Sequence, residues 1–175
     1  MELLIRPAEI NDAQSILDIY SPYIQQTVIT FETEVPTLSE FSKRVETILQ
    51  NYPYLVCEIG GKIVGYAYAS RHRERAAYRY STDLSIYVDM AYRHQGIGKQ
   101  LYTELFKALE SYPYYTAYAS ITLPNESSVG LHKAFGFQKI GVYHNVGYKA
   151  GNWLDVGWFE KPLKPYVTPE KGDLL

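Results

Sequence analysis

The stretch from Asp83 to Lys99, DLSIYVDMAYRHQGIGK, decides how the rest of the chain is read. Leu84, Ile86 and Val88 alternate with Ser85 and Tyr87, the period of a strand, and a polar turn then leads into Gly96, Ile97, Gly98 and a long helical pattern. The first N–H groups of a helix have no partner within it, and glycines let a ligand come close to them. The junction therefore has the makings of a phosphate cradle. A Gly-x-Gly at a helix start also occurs as plain turn chemistry, so the surrounding chain has to decide between the two.

Upstream, Leu3, Leu4 and Ile5 predict a first strand that stops at Pro7, and Asn11 or Asp12 can cap a helix with Ala13, Ile16, Leu17 and Tyr20 on one face. Pro22 ends or kinks that helix. The segment from Val28 to Pro36 is too polar and irregular for a core strand and is read as a loop over something, a candidate lid. Thr37 and Glu40 form a capping box ahead of Phe41, Val45, Ile48 and Leu49, which predicts a second helix to about Gln50. Tyr54 to Ile59 and Lys62 to Ser70 read as an antiparallel pair joined by Gly60 and Gly61, which suit the positive φ angles of a two-residue turn. The run SRHRERAAYRYS, with Arg71, Arg73, Arg75, Arg79 and His72, by itself reads as a solvated charged loop.

Downstream, Ile97, Leu101, Tyr102, Leu105, Ala108 and Leu109 form the apolar stripe of a helix ending near Ser111. Tyr114 to Thr122 alternates as a strand, Asn125 caps a short helix to Phe135, and Gly136 closes it as a left-handed cap. Phe137 to Val146 and Trp153 to Glu160 complete the strands. The order β α α β β β α β α β β predicts an α/β (α+β) domain, a mixed twisted sheet of about seven strands with about four helices, over residues 1–162. Residues 163–175, rich in proline, are expected to form an extended or mobile tail.

A chain of 175 residues with net charge -2 and pI near 6.1 has no basic stripe for nucleic acid or an anionic membrane surface, which leaves a small ligand as the expected partner. It contains no apolar run of membrane-spanning length, and its N-terminus MELLIRPAEIND carries acids where a secretory signal is basic and then apolar, so a cytoplasmic setting is expected. The single Cys57 sits in an apolar run and reads as a core residue, and neither a disulfide nor a metal site is expected. The 18 tyrosines suit strands, where an aromatic body packs while its hydroxyl reaches water.

Arg93, His94, Gln95, Gly96, Ile97 and Gly98 resemble the acetyl-CoA motif of the GNAT N-acetyltransferases, and Asn125, Ser128, Leu131, His132, Gly136 and Phe137 resemble that superfamily's second motif. Within it, ITLPNESSVGLHKAFGF (121–137), GYKAGNWLDVGW (147–158) and RAAYRYSTD (75–83) are similar to stretches of the phosphinothricin and methionine sulfoximine acetyltransferases. The resemblance implies acetyl-CoA as cosubstrate, no metal, and direct attack of an amine on the thioester in one ternary complex. It further implies a small-molecule amine as partner and a homodimer.

The same resemblance distributes the residues. Cofactor binding falls to Tyr87, Val88, Arg93, His94, Gln95, Gly96, Ile97, Gly98, Lys99, Asn125 and Ser128, with a main-chain N–H near Val88 meeting the oxyanion. Asp83 stands where the family places a glutamate; it becomes the general base, and being one methylene shorter it favours a relay water. His132 becomes the acid for the departing thiolate. Arg73 and Arg75 align with basic residues that hold the acceptor's carboxylate, with Phe31, Glu32 and Tyr78 lining its pocket. Tyr148, Lys149, Trp153 and Asp155 serve either the site or the subunit contact. Two rivals stay open: acetylation of a protein N-terminus or lysine, and a CoA-binding homologue without chemistry.

Overall fold

In the computed structural model, which describes residues 3–169, the strands and helices follow the expected order. The strands are β1 (Leu3–Pro7), β2 (Tyr54–Ile59), β3 (Lys62–Arg71), β4 (Ser81–Val88), β5 (Thr116–Leu123), β6 (Gln138–Lys149) and β7 (Asn152–Pro162). The helices are α1 (Ala13–Gln26), α2 (Leu38–Leu49), α3 (Ile97–Leu109) and α4 (Glu126–Ala134). The strands form one mixed sheet of seven in the order β1-β2-β3-β4-β5-β7-β6, the expected α/β architecture.

Side chains alternate between the two faces of a strand, and both faces of this sheet are covered, so β2 and β3 are apolar almost throughout. On one face Leu55, Cys57, Ala67, Ala69 and Leu84 pack against Ile97, Leu101, Tyr102, Leu105 and Leu109 of α3. Helix α3 comes so close to β3 that a Cβ on Gly65 would lie 3.2 Å from both Ile97 and Leu101. On the other face Tyr54, Val56 and Tyr66 pack against Ile16, Tyr20, Tyr23 and Ile24 of α1 and Phe41 and Val45 of α2. Fully burying each such side chain is worth about 1.5–3 kcal/mol. Cys57 is buried as expected, and burial pushes its thiol up to about 11, which keeps it unreactive.

The local signals hold at most termini. Thr37 accepts the Glu40 N–H at 3.3 Å while Glu40 accepts that of Thr37 at 2.9 Å, Asn125 Oδ1 accepts the Ser128 N–H at 3.1 Å, and Gly136 has φ 85°. Gly60 and Gly61, at φ 58° and 79°, close the β2–β3 turn. Pro22 does not end α1: the helix runs on to Gln26, because Tyr23 and Ile24 beyond it are buried and their packing holds the helical path. Asp12 is not a simple cap either; it accepts the Glu9 N–H at 2.7 Å and pairs with Arg6 at 2.8 Å.

Further departures lie in the second half. Strand β5 begins at Thr116, since Tyr114 and Tyr115 precede the ladder, with the Tyr115 N–H donating to Tyr80 O at 2.8 Å. Strands β6 and β7 are longer than expected and meet at a turn through Ala150 and Gly151, at φ 50° and 78°. The tail is tied down as far as it is described: Leu163 N–H donates to Tyr115 O at 2.8 Å, and Tyr166 Oη lies 2.8 Å from Thr116 Oγ1. Residues 170–175 of the expected tail lie outside the described residues.

The feature that positions the site is the one parallel junction among the described residues. Strands β4 and β5 pair only through Ser81–Asp83 and Thr116–Tyr118, and from Leu84 onward β4 has no ladder partner on that side. The Asp89 N–H donates to Val64 O at 2.8 Å. Bonded and non-bonded pairs alternate along an antiparallel ladder, so Val88, opposite Gly65, turns its N–H away from β3 and into the gap.

Candidate active site

The gap ends against the start of α3. His94 and Gly96 adopt φ 61° and 77°, which folds the chain so that the helix begins at Ile97 with its unpartnered N–H groups facing outward. A cavity of about 340 Å³ opens over them. Of the residues expected to hold the cofactor, Val88, Arg93, His94, Gly96, Ile97, Gly98, Lys99, Asn125 and Ser128 line it. Tyr87 and Gln95 do not: Tyr87 points to the opposite face, its ring 5.0 Å from those of Tyr20 and Tyr23, and Gln95 is exposed.

Tyr23 and Tyr92, which the sequence did not single out, also line the cavity, as does Ile29 of the candidate lid. Tyr23 is fixed there because its hydroxyl donates to Val88 O at 2.6 Å, and the Arg93 guanidinium lies 5.0 Å over its ring.

A smaller pocket of about 60 Å³ continues from this cavity between β4 and β5, sharing Ile29, Ile86, Asn125 and Ser128 with it. Its wall includes Leu84 and Ile86 from one face of β4 and Ser85 and Tyr87 from the other, so the opening passes through the sheet. Tyr102 and His132 flank it. His132 is only 3% exposed, with Nδ1 2.7 Å from Ser128 O and Nε2 2.8 Å from Tyr102 Oη. A carbonyl oxygen can only accept, so Nδ1 carries the proton and Tyr102 donates to Nε2. Burial holds the imidazole pKa down, against the Ser128 hydrogen bond, and holds the Tyr102 hydroxyl well up, so both are neutral. The expected direct donation from His132 to a thiolate is therefore not available in this arrangement: its one proton faces Ser128.

On the far side lies Asp83, on the face shared by Ser85 and Tyr87. Its Oδ1 is 2.6 Å from His72 Nδ1, a partner that sequence reading counted only as one charge among several. Burial raises the Asp83 pKa, and the His72 hydrogen bond and the Arg73 charge oppose that rise.

Arg73 lies beside this pair, its Nη1 donating to His72 O at 3.2 Å and its guanidinium 5.3 Å from the Trp158 ring. Arg75 is not brought there; it is exposed, and its carbonyl accepts the Tyr78 N–H at 3.0 Å in the 3-10 turn Ala76–Tyr78. The Tyr78 ring meets His72 edge-on at 5.7 Å.

The candidate lid is held at several points. Tyr20 Oη lies 2.7 Å from Thr30 Oγ1, Lys149 Nζ donates to Thr30 O at 2.8 Å, and Glu32 pairs with Arg44 at 2.6 Å. Phe31 covers Gly147 so closely that a Cβ there would meet its ring at 2.2 Å. Lys149 thus belongs with the lid. Asp155 instead holds a bulge in β6, accepting the Asn145 N–H at 2.8 Å, while Tyr148 and Trp153 pair on the exposed surface of the hairpin, their rings 5.2 Å apart. Among the described residues no three His, Cys, Asp or Glu side chains are grouped to hold a metal, and no helix is long and apolar enough to cross a membrane.

The chain is 38% identical over 165 residues to the phosphinothricin N-acetyltransferase of Streptomyces viridochromogenes, covering 94% of this chain and 90% of that one. It is 32% identical to the L-methionine sulfoximine/L-methionine sulfone acetyltransferase of Pseudomonas aeruginosa, over 94% of this chain and 97% of that one. Its fold matches the crystal structure of a GNAT superfamily phosphinothricin acetyltransferase from Sinorhizobium meliloti in complex with AcCoA, with a TM-score of 0.95 and 36% identity, covering 100% of this chain and 98% of that one. Residues 5–158 match the family described as an acetyltransferase (GNAT) domain, and the chain belongs to that family.

Proposed function

We propose that this protein is an acetyl-CoA-dependent N-acetyltransferase acting on the amine of a small amino acid analogue of the phosphinothricin, methionine sulfoximine or methionine sulfone type, within one ternary complex. The observation that carries this reading is the opening through the sheet, which joins the cradle at α3 to the face bearing Asp83. Two substrates entering from opposite faces can meet there, and holding them together supplies much of the rate of a bimolecular step.

Acetyl-CoA, when bound, supplies an activated acyl group. The fit rests on the N–H groups of Ile97, Gly98 and Lys99 at the start of α3, which suit a pyrophosphate, and on the absence of side chains at Gly96 and Gly98. Arg93 and His94 border the same mouth, Asn125 and Ser128 the inner end. The Val88 N–H, directed into the gap, is placed to stabilise an oxyanion.

Asp83 takes the proton of the amine, directly or through a water. The departing thiolate is protonated by the Tyr102 hydroxyl at the pocket wall, which turns from His132 Nε2 to give up its own proton and regains one from solvent, His132 holding the hydroxyl in place between turnovers. Arg73 holds an acceptor carboxylate, with Tyr78 beside His72 and the lid residues Phe31 and Glu32 completing the pocket. Residues 1–162 act as one catalytic domain. The reading includes a cytoplasmic setting and a homodimer; for the dimer the support is the apolar surface of the β6–β7 hairpin, where Ile140, Tyr143, Val146, Tyr148 and Trp153 are exposed.

The test is an acceptor screen with acetyl-CoA, following thiol release. Turnover on phosphinothricin or a methionine sulfoximine analogue is the expected result. Binding of acetyl-CoA without turnover on any free amine would overturn the proposal.

A further inference from the structure

We infer that His72 is a positioning residue for Asp83, fixing one carboxylate oxygen through its Nδ1–H and leaving the other to meet the acceptor amine; this rests on Asp83 being the base. The contact is 2.6 Å, the length of a strong charge-assisted hydrogen bond, and an ionised carboxylate can only accept it. The two residues come from different strands: His72 follows the end of β3, and Asp83 lies on β4 opposite Ser70.

What separates a positioning role from that of base is which side chain faces outward. The His72 side chain is 10% exposed and that of Asp83 28% exposed, so the imidazole is the shielded member and the carboxylate the open one. The ring is also walled in. It stacks on Tyr118 of β5 at 4.4 Å and 18°, and meets the edges of Tyr78 at 5.7 Å and Trp158 of β7 at 6.4 Å. The loop carrying it is gathered by Arg71, whose Nε donates to Arg73 O at 3.1 Å and whose Nη2 donates to Glu74 O. An imidazole held on so many sides fixes the aspartate torsions that would otherwise be free in an open site.

The groups facing Asp83 are His72 and Arg73 beyond β3, Tyr68 on β3 and Tyr118 on β5, with Tyr78 across Tyr118 and the Glu32–Arg44 pair across Tyr68. Burial lifts Tyr68 and Tyr118 above the ordinary tyrosine value, so neither titrates below neutrality. Burial raises Asp83 and the His72 hydrogen bond lowers it; losing the donor therefore raises it further. A base must be ionised, so the acid limb of activity moves to higher pH.

The experiment is the pH dependence of kcat/KM for His72→Phe, His72→Asn and Asp83→Ala, with acetyl-CoA affinity measured alongside by calorimetry. His72→Phe keeps the stacked ring and loses the donor; its acid limb is expected to rise by roughly one pH unit, with acetyl-CoA affinity unchanged. The Asn amide can sit where Nδ1 does, so His72→Asn restores most of the wild-type limb. His72→Gln places its amide near the Nε2 position and gives the donor-free readout should the phenylalanine variant not fold.

A wild-type limb in the donor-free variants, or an asparagine variant that binds acetyl-CoA normally yet fails to recover the limb, overturns the inference. Asp83→Ala separates the two levels. Wild-type turnover in that variant removes Asp83 as base, whereas an inactive Asp83→Ala beside an unshifted limb in His72→Phe sinks the role of His72 alone.

Discussion

Tyr102 Oη and His132 Nε2 lie 2.8 Å apart at the wall of the opening through the sheet, on two helices that are otherwise separate in the chain. The pair is neutral and satisfied, with the second imidazole nitrogen bound to Ser128 O at 2.7 Å. Tyr102→Phe keeps the ring and removes the donor, leaving Nε2 buried without a partner. A loss of about 1–3 kcal/mol is expected in urea unfolding. If the thiolate's proton travels through this hydroxyl, turnover falls while acetyl-CoA affinity stays; unchanged single-turnover thiol release would take Tyr102 off the path.

Gly147 exists for Phe31. A Cβ at 147 would stand 2.2 Å from Phe31 Cε2, and the ring, itself 39% exposed, has solvent to swing into. Gly147→Ala is therefore expected to displace the lid rather than unfold the chain. Misplacement of this kind costs roughly ten- to a hundredfold in kcat/KM for the acceptor. Acetyl-CoA affinity should hold, because Phe31 does not line the cradle and Ile29, which does, is anchored separately, its N–H donating to Thr27 Oγ1 at 3.1 Å and its carbonyl accepting from Thr122 Oγ1 at 3.3 Å. A wild-type acceptor profile would show that the lid takes no part in binding.

The two glycines of the cradle are needed for different reasons. Gly96 has φ 77°, where a side chain costs about 1 kcal/mol of backbone strain. At Gly98 a Cβ would make only ordinary contacts, 3.4 Å from Leu131 and 3.6 Å from Ile86, so folding tolerates it. What a larger group fills is the cavity. Gly98→Val is expected to keep its thermal stability while losing acetyl-CoA binding by calorimetry, with Gly98→Ala in between; wild-type affinity in Gly98→Val would refute the cradle.

Much of the fold was legible because its signals are local. The Thr37–Glu40 box, the Asn125 cap, the Gly60–Gly61 turn and the stripe of α3 each span a few residues, and each stands where the residues place it. Pro22 does not end α1, and β5 starts at Thr116 instead of Tyr114, because burial of Tyr23 and Ile24 and the reach of a neighbouring strand overrode local preference. In the site, the helix start at Gly96, Ile97 and Gly98 was readable for the same local reason, and the family resemblance added Arg93, His94 and Lys99; all of these line the cavity, whereas Gln95 is exposed.

The sequence by itself determined the element order, the helix start at Ile97 behind Gly96, and the motifs that mark the family. Tertiary structure alone decided which side chains meet. His72 reaches Asp83 because β3 and β4 pair antiparallel with Ser70 opposite Asp83, Tyr102 reaches His132 because α3 and α4 share one face, and Arg75 is left outside although it sits two residues from Arg73. The physical reason is one of range. Capping and turn chemistry act within one or two turns of chain, whereas the register of a sheet and the packing of helices on its face are set by the whole core; the hydrogen bond between side chains 11 residues apart follows from the first and that between side chains 30 apart from the second.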